Sequence, residues 1–380
     1  MTQQARTFNG VTLAPDVDPA RIAPDAVIHP GCRLGGASLA IGPGCVIGAE
    51  APATVIDCQL GAGVRLAGGF FERATFLDGF TAGSGAHVRP GCLFEEGASL
   101  AHSVGVKQTV FLPWVTAGSL INFCDALMAG GTGRKDHSEI GSSYIHFNFT
   151  PHQDKATPSL IGDVPRGVLL NQPAIFLGGQ GGLVGPAVIA YGTVIPAGQI
   201  WRGDVTEPGR LVAKPAARSV IDIPYDPRQY GAIGRVVRNN LRYIGNILAL
   251  DGWYRTVRAR FMQGAPVHSG ARLRLAEILE ERLARLDELT RKIEGSLALN
   301  RGGAAEEEHR AFVTRWPARR AALAALVQGR ETAPVPPPVA AIVERLPRTE
   351  YLKAIQALPP ADAHTLTAWL EASVAAALAL

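Results

Sequence analysis

"LVGPAVIAYGTVIPAGQI", residues 183–200, decides the fold. Leu183, Ile189 and Ile195 stand six residues apart, with mostly small or polar residues between them. An amphipathic helix would repeat its apolar positions every three or four residues, and a half-buried strand every two. A period of six fits neither. It fits a coil in which each six-residue unit supplies one short strand and one turn, with three units closing a triangular turn and the aliphatic residues stacked inside.

Working outward, "IGPGCVIGAEAP" carries the same register at Ile41 and Ile47, and "LGAGVRLAGGFF" at Leu60 and Leu66. "VRPGCLFEEGASLAHSVG" continues it at Val88, Phe94 and Leu100. The repeats run from residue 11 to about residue 220. A doubly wound parallel sheet would need long helices between its strands, and this segment offers none. Composition agrees: 43 glycines and 27 prolines among 380 residues, with only 7% aromatics, suit many tight turns and small interior side chains.

From about Tyr225 the pattern changes. "RLRLAEILEERLARLDELTRKIEGSLAL" sets Leu275, Leu279, Leu283, Leu286, Ile293 and Leu297 at helical steps, with charged residues on the other face. Glu–Arg and Asp–Arg pairs near i,i+4 spacing support the helix. "ETAPVPPPV" reads as a Pro-rich linker near 332–338, and Ala- and Leu-rich helices finish the chain. The expected division is a β-solenoid over 1–222 and an α-helical region over 223–380 that caps the solenoid or packs an oligomer.

The net charge of +4 gives no reason to expect nucleic acid as a partner. No run of 18 apolar residues exists, so no membrane span is expected, and the start "MTQQARTFNG" lacks a signal pattern. The five cysteines, Cys32, Cys45, Cys58, Cys92 and Cys124, form no CxxC pair. They read as small buried residues in a reducing, cytoplasmic compartment, and no metal site is expected.

Residues 88–125, "VRPGCLFEEGASLAHSVGVKQTVFLPWVTAGSLINFCD", carry a more specific resemblance. They resemble the acetyltransferase domain of the bifunctional N-acetylglucosamine-1-phosphate uridyltransferase/glucosamine-1-phosphate acetyltransferase family. That family reads R-P-G, then a lysine eighteen residues on, then A-G-H-L-T-Y-x-G-D. Arg89-Pro90-Gly91 is followed by Lys107 at that spacing, then by Ala117-Gly118-Ser119-Leu120-Ile121-Asn122 and Asp125. Downstream, "HFNFTPHQDKATPSLIGD" is similar to the family's C-N-Y-D-G…K…I-G-D, with Asn148 on its Asn, Phe149 on its Tyr and Lys155 near its Lys. The resemblance covers roughly residues 85–205, and the family's uridyltransferase domain has no counterpart in the sequence.

The resemblance implies a left-handed parallel β-helix of hexapeptide repeats, a homotrimer with sites between subunits, and acetyl-CoA as cosubstrate. It implies substrate binding by Arg89, Lys107, Asn122, Asn148 and Lys155, and cofactor contacts at Gly179 and Ala197. The acceptor would be a phosphorylated amino sugar or a nucleotide-sugar. The family's catalytic His falls on Ser119, a poor base beside imidazole. His146 and His152 are the candidate replacements, with His137 nearby. "AGGTGRKDH", residues 129–137, sits where the chain is longer than the family pattern and reads as a loop interrupting the solenoid near 126–140, beside the substrate site. Two other functions fit the same residues: a non-catalytic sugar-phosphate or nucleotide-sugar binding protein, and a trimeric scaffold.

Overall fold

The computed structural model describes residues 8–214, 222, 224–262, 264–299 and 305–380. The chain start and most of the segment before the expected 222/223 division therefore lie outside the described residues. The repeat segment folds as a parallel β-solenoid of about 11 turns. Each short strand pairs in parallel with its counterpart one turn away, as Val88 does with Phe71 on one side and Val106 on the other. The aliphatic positions picked out by the six-residue period, from Ile41 and Ile47 to Ile189 and Ile195, are all buried. Midway along, phenylalanines fill the interior: the Phe76 ring lies 4.7 Å from Phe80 and 5.5 Å from Phe94. All five cysteines are buried and unpaired. Burial raises the thiol pKa of Cys45 and Cys124 to about 11, so these groups stay protonated.

The interruption expected near 126–140 is narrower than the sequence reading. Residues 126–128 belong to the solenoid strand Asn122–Met128, and only Gly131–Gly133 and Asp136–His137 form a projecting antiparallel hairpin. Two further excursions leave the coils. One spans 148–158, and the other follows the strand Ser159–Ile161 and contains the short helix α1 (Val164–Gly167).

The last solenoid strand is Ile200–Arg202, and parallel bridges from Val205 to Ile189 and from Leu211 to Val194 carry the coil slightly further. Helices then follow as α2 (Gly234–Trp253), α3 (Ala259–Met262), α4 (Pro266–Leu297), α5 (Glu306–Gly329), α6 (Pro337–Arg345), α7 (Tyr351–Gln356) and α8 (Pro360–Leu378). A π-helical turn, Tyr254–Arg258, joins α2 to α3. The prolines near 332–338 separate α5 from α6, and Pro337 opens α6, where its missing N–H costs nothing. None of the described helices is long and apolar enough to cross a membrane.

The helices lie against one face of the solenoid, with α4 on the strands Gln59–Leu60, Ala74–Phe76 and Cys92–Phe94. At Gly270 the approach is so close that a Cβ would fall 2.3 Å from Gln59 Oε1 and 2.8 Å from Thr75 Oγ1. Buried arginines cross this seam. Arg258 is fully buried and binds Glu95 at 2.7 Å together with Glu96, beneath the Tyr351 ring at 3.5 Å from its guanidinium carbon. Tyr254 donates its hydroxyl to Glu95 at 2.7 Å. Arg282, only 1% exposed, binds Asp125 at 2.5 Å. This corrects the reading of α4 as apolar on one face and solvated on the other, because Arg274 and Arg282 point inward.

Candidate functional site

Register alone puts Arg89 beside Lys107. The pairing of Val88 with Val106 continues through the backbone bond from Arg89 N–H to Val106 O at 3.0 Å, so the two cationic side chains leave the same face one turn apart. Both are half-buried and line a cleft of about 620 Å³. Its solenoid side also carries Phe70, Glu72, Arg73 and His87, and its far wall is the edge of α4, with Glu277, Glu280 and Glu281. Arg73 closes one end by an ion pair with Glu277. The cleft is thus cationic on the solenoid side and acidic on the helical side.

Beyond Lys107 the next turn contributes Cys124, aligned with it in register. Arg89 Nη2 donates to Cys124 Sγ at 3.1 Å, and the thiol donates to Asn122 Oδ1 at 3.3 Å. Burial keeps the thiol neutral against the opposing pull of Arg89. Asn122 is exposed at the start of its strand and links the cleft to the neighbouring solenoid corner.

That corner holds three more of the residues singled out in the sequence. Leu120 N–H bonds to His102 O, Ser143 N–H to Ser119 O, Gln180 N–H to Ser142 O and Gly198 N–H to Gly179 O. These bonds align His102, Ser119, Ser142, Gly179 and Ala197 as equivalent positions on successive turns. From Gly141 onward the corner is floored mostly by glycine, and a Cβ at Gly178 would lie 2.2 Å from Ala197 N. Ser119 Oγ is 2.8 Å from His102 Nδ1, and Ser119 N–H donates to Ser142 Oγ at 3.1 Å. Sequence reading passed over His102. Its signal was the spacing of one turn, which lays "AHS" against "GSL".

The remaining residues lie elsewhere. His146 is 2% exposed, with Nδ1 2.5 Å from Cys124 O and Nε2 2.7 Å from Ser159 Oγ. Burial lowers its imidazole pKa to about 4. It is a satisfied interior side chain with no open face toward a substrate. His152 stacks on Tyr230 at 4.0 Å and bonds Pro227 O at 2.7 Å, facing the helical region. Asn148 donates to the Asp125 carboxylate that Arg282 also holds, and the backbone carbonyl of Lys155 accepts from Arg282 at 3.2 Å. None of these four lines the Arg89–Lys107 cleft.

His137 belongs to the projecting hairpin, where Nδ1 is 3.0 Å from Arg134 O. Arg134 bonds Gly97 O and Thr116 Oγ1, both at 3.2 Å, while Gln356 of α7 donates to Thr132 O at 2.7 Å. The hairpin is therefore clasped between another solenoid face and α7, not laid over the cleft.

Comparison with known proteins finds no matching family model. Curated relatives are similar over about half of the chain. The bifunctional protein GlmU of Nitratidesulfovibrio vulgaris (strain DP4) is 26% identical over 213 residues, 54% of this chain and 42% of that protein. GlmU of Trichlorobacter lovleyi is 28% identical over 214 residues, and GlmU of Pelobacter propionicus 30% over 207, the latter covering 52% of this chain and 40% of that protein. The chain spans about two fifths of the length of these relatives. A solved structure of LpxA from Acinetobacter baumannii aligns with 52% of this chain and 67% of its own at 12% identity, with a TM-score of 0.19. By its repeats, its parallel coil pairing and the GlmU relatives, the chain carries a hexapeptide-repeat β-solenoid domain similar to part of the GlmU proteins.

Proposed function

We propose that this protein transfers an acyl group from a thioester donor, acetyl-CoA in the simplest case, to the amine of an anionic sugar derivative. The observation that carries this reading is the pair Arg89 and Lys107, side by side in a cleft of about 620 Å³. A guanidinium presents a planar fork to phosphate oxygens, and an ammonium beside it adds a point charge. The corner running from Ser119 past Ser142 and Gly179 to Ala197 carries only small residues, along which an extended donor would lie.

In the reaction the amine nitrogen attacks the thioester carbonyl. The new C–N bond forms, the C–S bond breaks, one proton leaves the nitrogen and the thiol departs protonated. Asn122 stands between the two halves of this arrangement. Asn148 and Lys155 act through the Asp125–Arg282 clamp that fixes α4 as the cleft wall. His146 is given a structural role in this reading, and the assembly is a homotrimer.

Thiol release from acetyl-CoA in the presence of amino-sugar phosphates tests the reading. Turnover that falls away in Arg89→Ala and Lys107→Ala supports it. It is abandoned if acetyl-CoA gives no heat on titration and no amino-sugar phosphate elicits thiol release.

A further inference from the structure

The acyl transfer just described needs a group to take the amine proton, and the sequence position where the similar family has its histidine is Ser119. We infer that His102, one turn earlier on the same corner, is the general base, and that Ser119 is its positioning residue. The inference rests on the acyltransferase reading and adds the identity of the proton acceptor.

The geometry is specific. His102 is exposed, and its Nδ1 lies 2.8 Å from Ser119 Oγ. With Nδ1–H donating to that oxygen, Nε2 is left unprotonated and faces outward, the arrangement a base needs. A side chain at Ser119 and one at His102 occupy the same corner on consecutive turns. An imidazole rooted at residue 102 therefore reaches the space that an imidazole rooted at residue 119 would fill, and the serine hydroxyl takes over the orienting role.

The other histidines do not share these features. His146 is interior, and both of its nitrogens are engaged. His152 is stacked on Tyr230 among the helical residues. His87 lines the anion cleft with its ring 5.1 Å from Phe70, beside the phosphate end of the acceptor and not at the corner where donor and amine would meet.

The step balances without a further reactant. The amine nitrogen bonds to the acyl carbon as its proton passes to His102 Nε2, the C–S electron pair leaves with sulfur, and His102 returns the proton to that sulfur.

A swap experiment tests this with the full-length protein, acetyl-CoA and an amino-sugar phosphate. His102→Ala and His102→Asn are expected to lower kcat by about 10²–10⁴ with little change in KM for the sugar phosphate. The double variant His102→Ala/Ser119→His is expected to regain most of the loss, which no merely structural role at either position explains. His102→Asn guards against a folding defect in the alanine variant, as does its melting temperature. Wild-type turnover in the His102 variants, or a loss confined to His87→Ala, overturns the base and leaves the acyltransferase reading standing. Absence of thiol release from the wild-type protein overturns both together.

Discussion

The solenoid and the helical region solve the same problem, burial of a long chain, by opposite means. In the solenoid each turn hydrogen-bonds to the next and contributes aliphatic or aromatic side chains to a continuous apolar interior, so stability accrues turn by turn. The helices are joined to that column through a seam crossed by charge, with Arg258 buried against Glu95 and Glu96 and Arg282 against Asp125. Apolar stacking tolerates gradual change. A buried ion pair does not, because removing one partner strands the other charge in a medium that cannot solvate it.

The largest expected effect breaks the seam. Arg258→Ala leaves Glu95 and Glu96 without their partner and costs about 3–5 kcal/mol. Hydrogen exchange resolved by segment should show α2 to α4 losing protection while the strands around Ile41 and Ile47 keep theirs.

The two regions should also respond to acid in opposite directions. Burial lowers the His146 imidazole pKa to about 4, whereas in the unfolded chain it titrates near 6.5. Above that value neither state is protonated. As pH falls from about 6.5 toward about 4 the unfolded chain takes up a proton that the fold refuses, and the solenoid loses about 3 kcal/mol. Glu95 runs the other way: burial, outweighing Arg258, raises its carboxyl above the ordinary carboxylate range. The folded seam therefore takes up a proton at a higher pH than the unfolded chain does, and its stability falls as pH rises above the ordinary carboxylate range. Below about pH 6.5, acidification should therefore strengthen the seam and weaken the solenoid. His146→Gln and Glu95→Gln should each abolish one half of that divergence in segment-resolved exchange.

A smaller effect is confined to the cleft where the regions meet. Arg89→Ala removes a charge-assisted contact worth about 1.5–3 kcal/mol, which is about tenfold to a hundredfold in affinity for an amino-sugar phosphate by calorimetry, with an unchanged melting temperature. The smallest is at the hairpin. Lys135 is exposed at its tip, so Lys135→Ala should shift stability by less than about 0.5 kcal/mol and leave sugar-phosphate affinity unaltered.

What the sequence disclosed follows the same division. The inward residues of the coils were legible because the repeat is local: a residue's burial is set by its place within six neighbours, and Leu183, Ile189 and Ile195 obey it. Arg89 and Lys107 were legible as a pair because one turn of the coil is close to eighteen residues, so register brings them side by side. Arg282 was not. In a helix, a charged residue on the solvent face and one aimed into a seam have the same spacing, and only the position of Asp125 across that seam tells them apart. His146 misled for a related reason. Strand alternation fixes which side it faces, but not that Cys124 O and Ser159 Oγ wait there to satisfy both nitrogens. Asn148 and Lys155 matched a motif, but the excursion that carries them is captured by the helices.

The bare backbone of α4 at Gly270 acts as a depth stop. A Cβ there would press on the Gln59 amide and the Thr75 hydroxyl, so the helix seats against the sheet through a hydrogen alone. Further along the same rigid rod stand Glu277, Glu280 and Glu281, the far wall of the cleft. Gly270→Val would lever that wall outward, so the width of the opening, and with it the bulk of the sugar admitted, is governed from a residue that never meets the ligand.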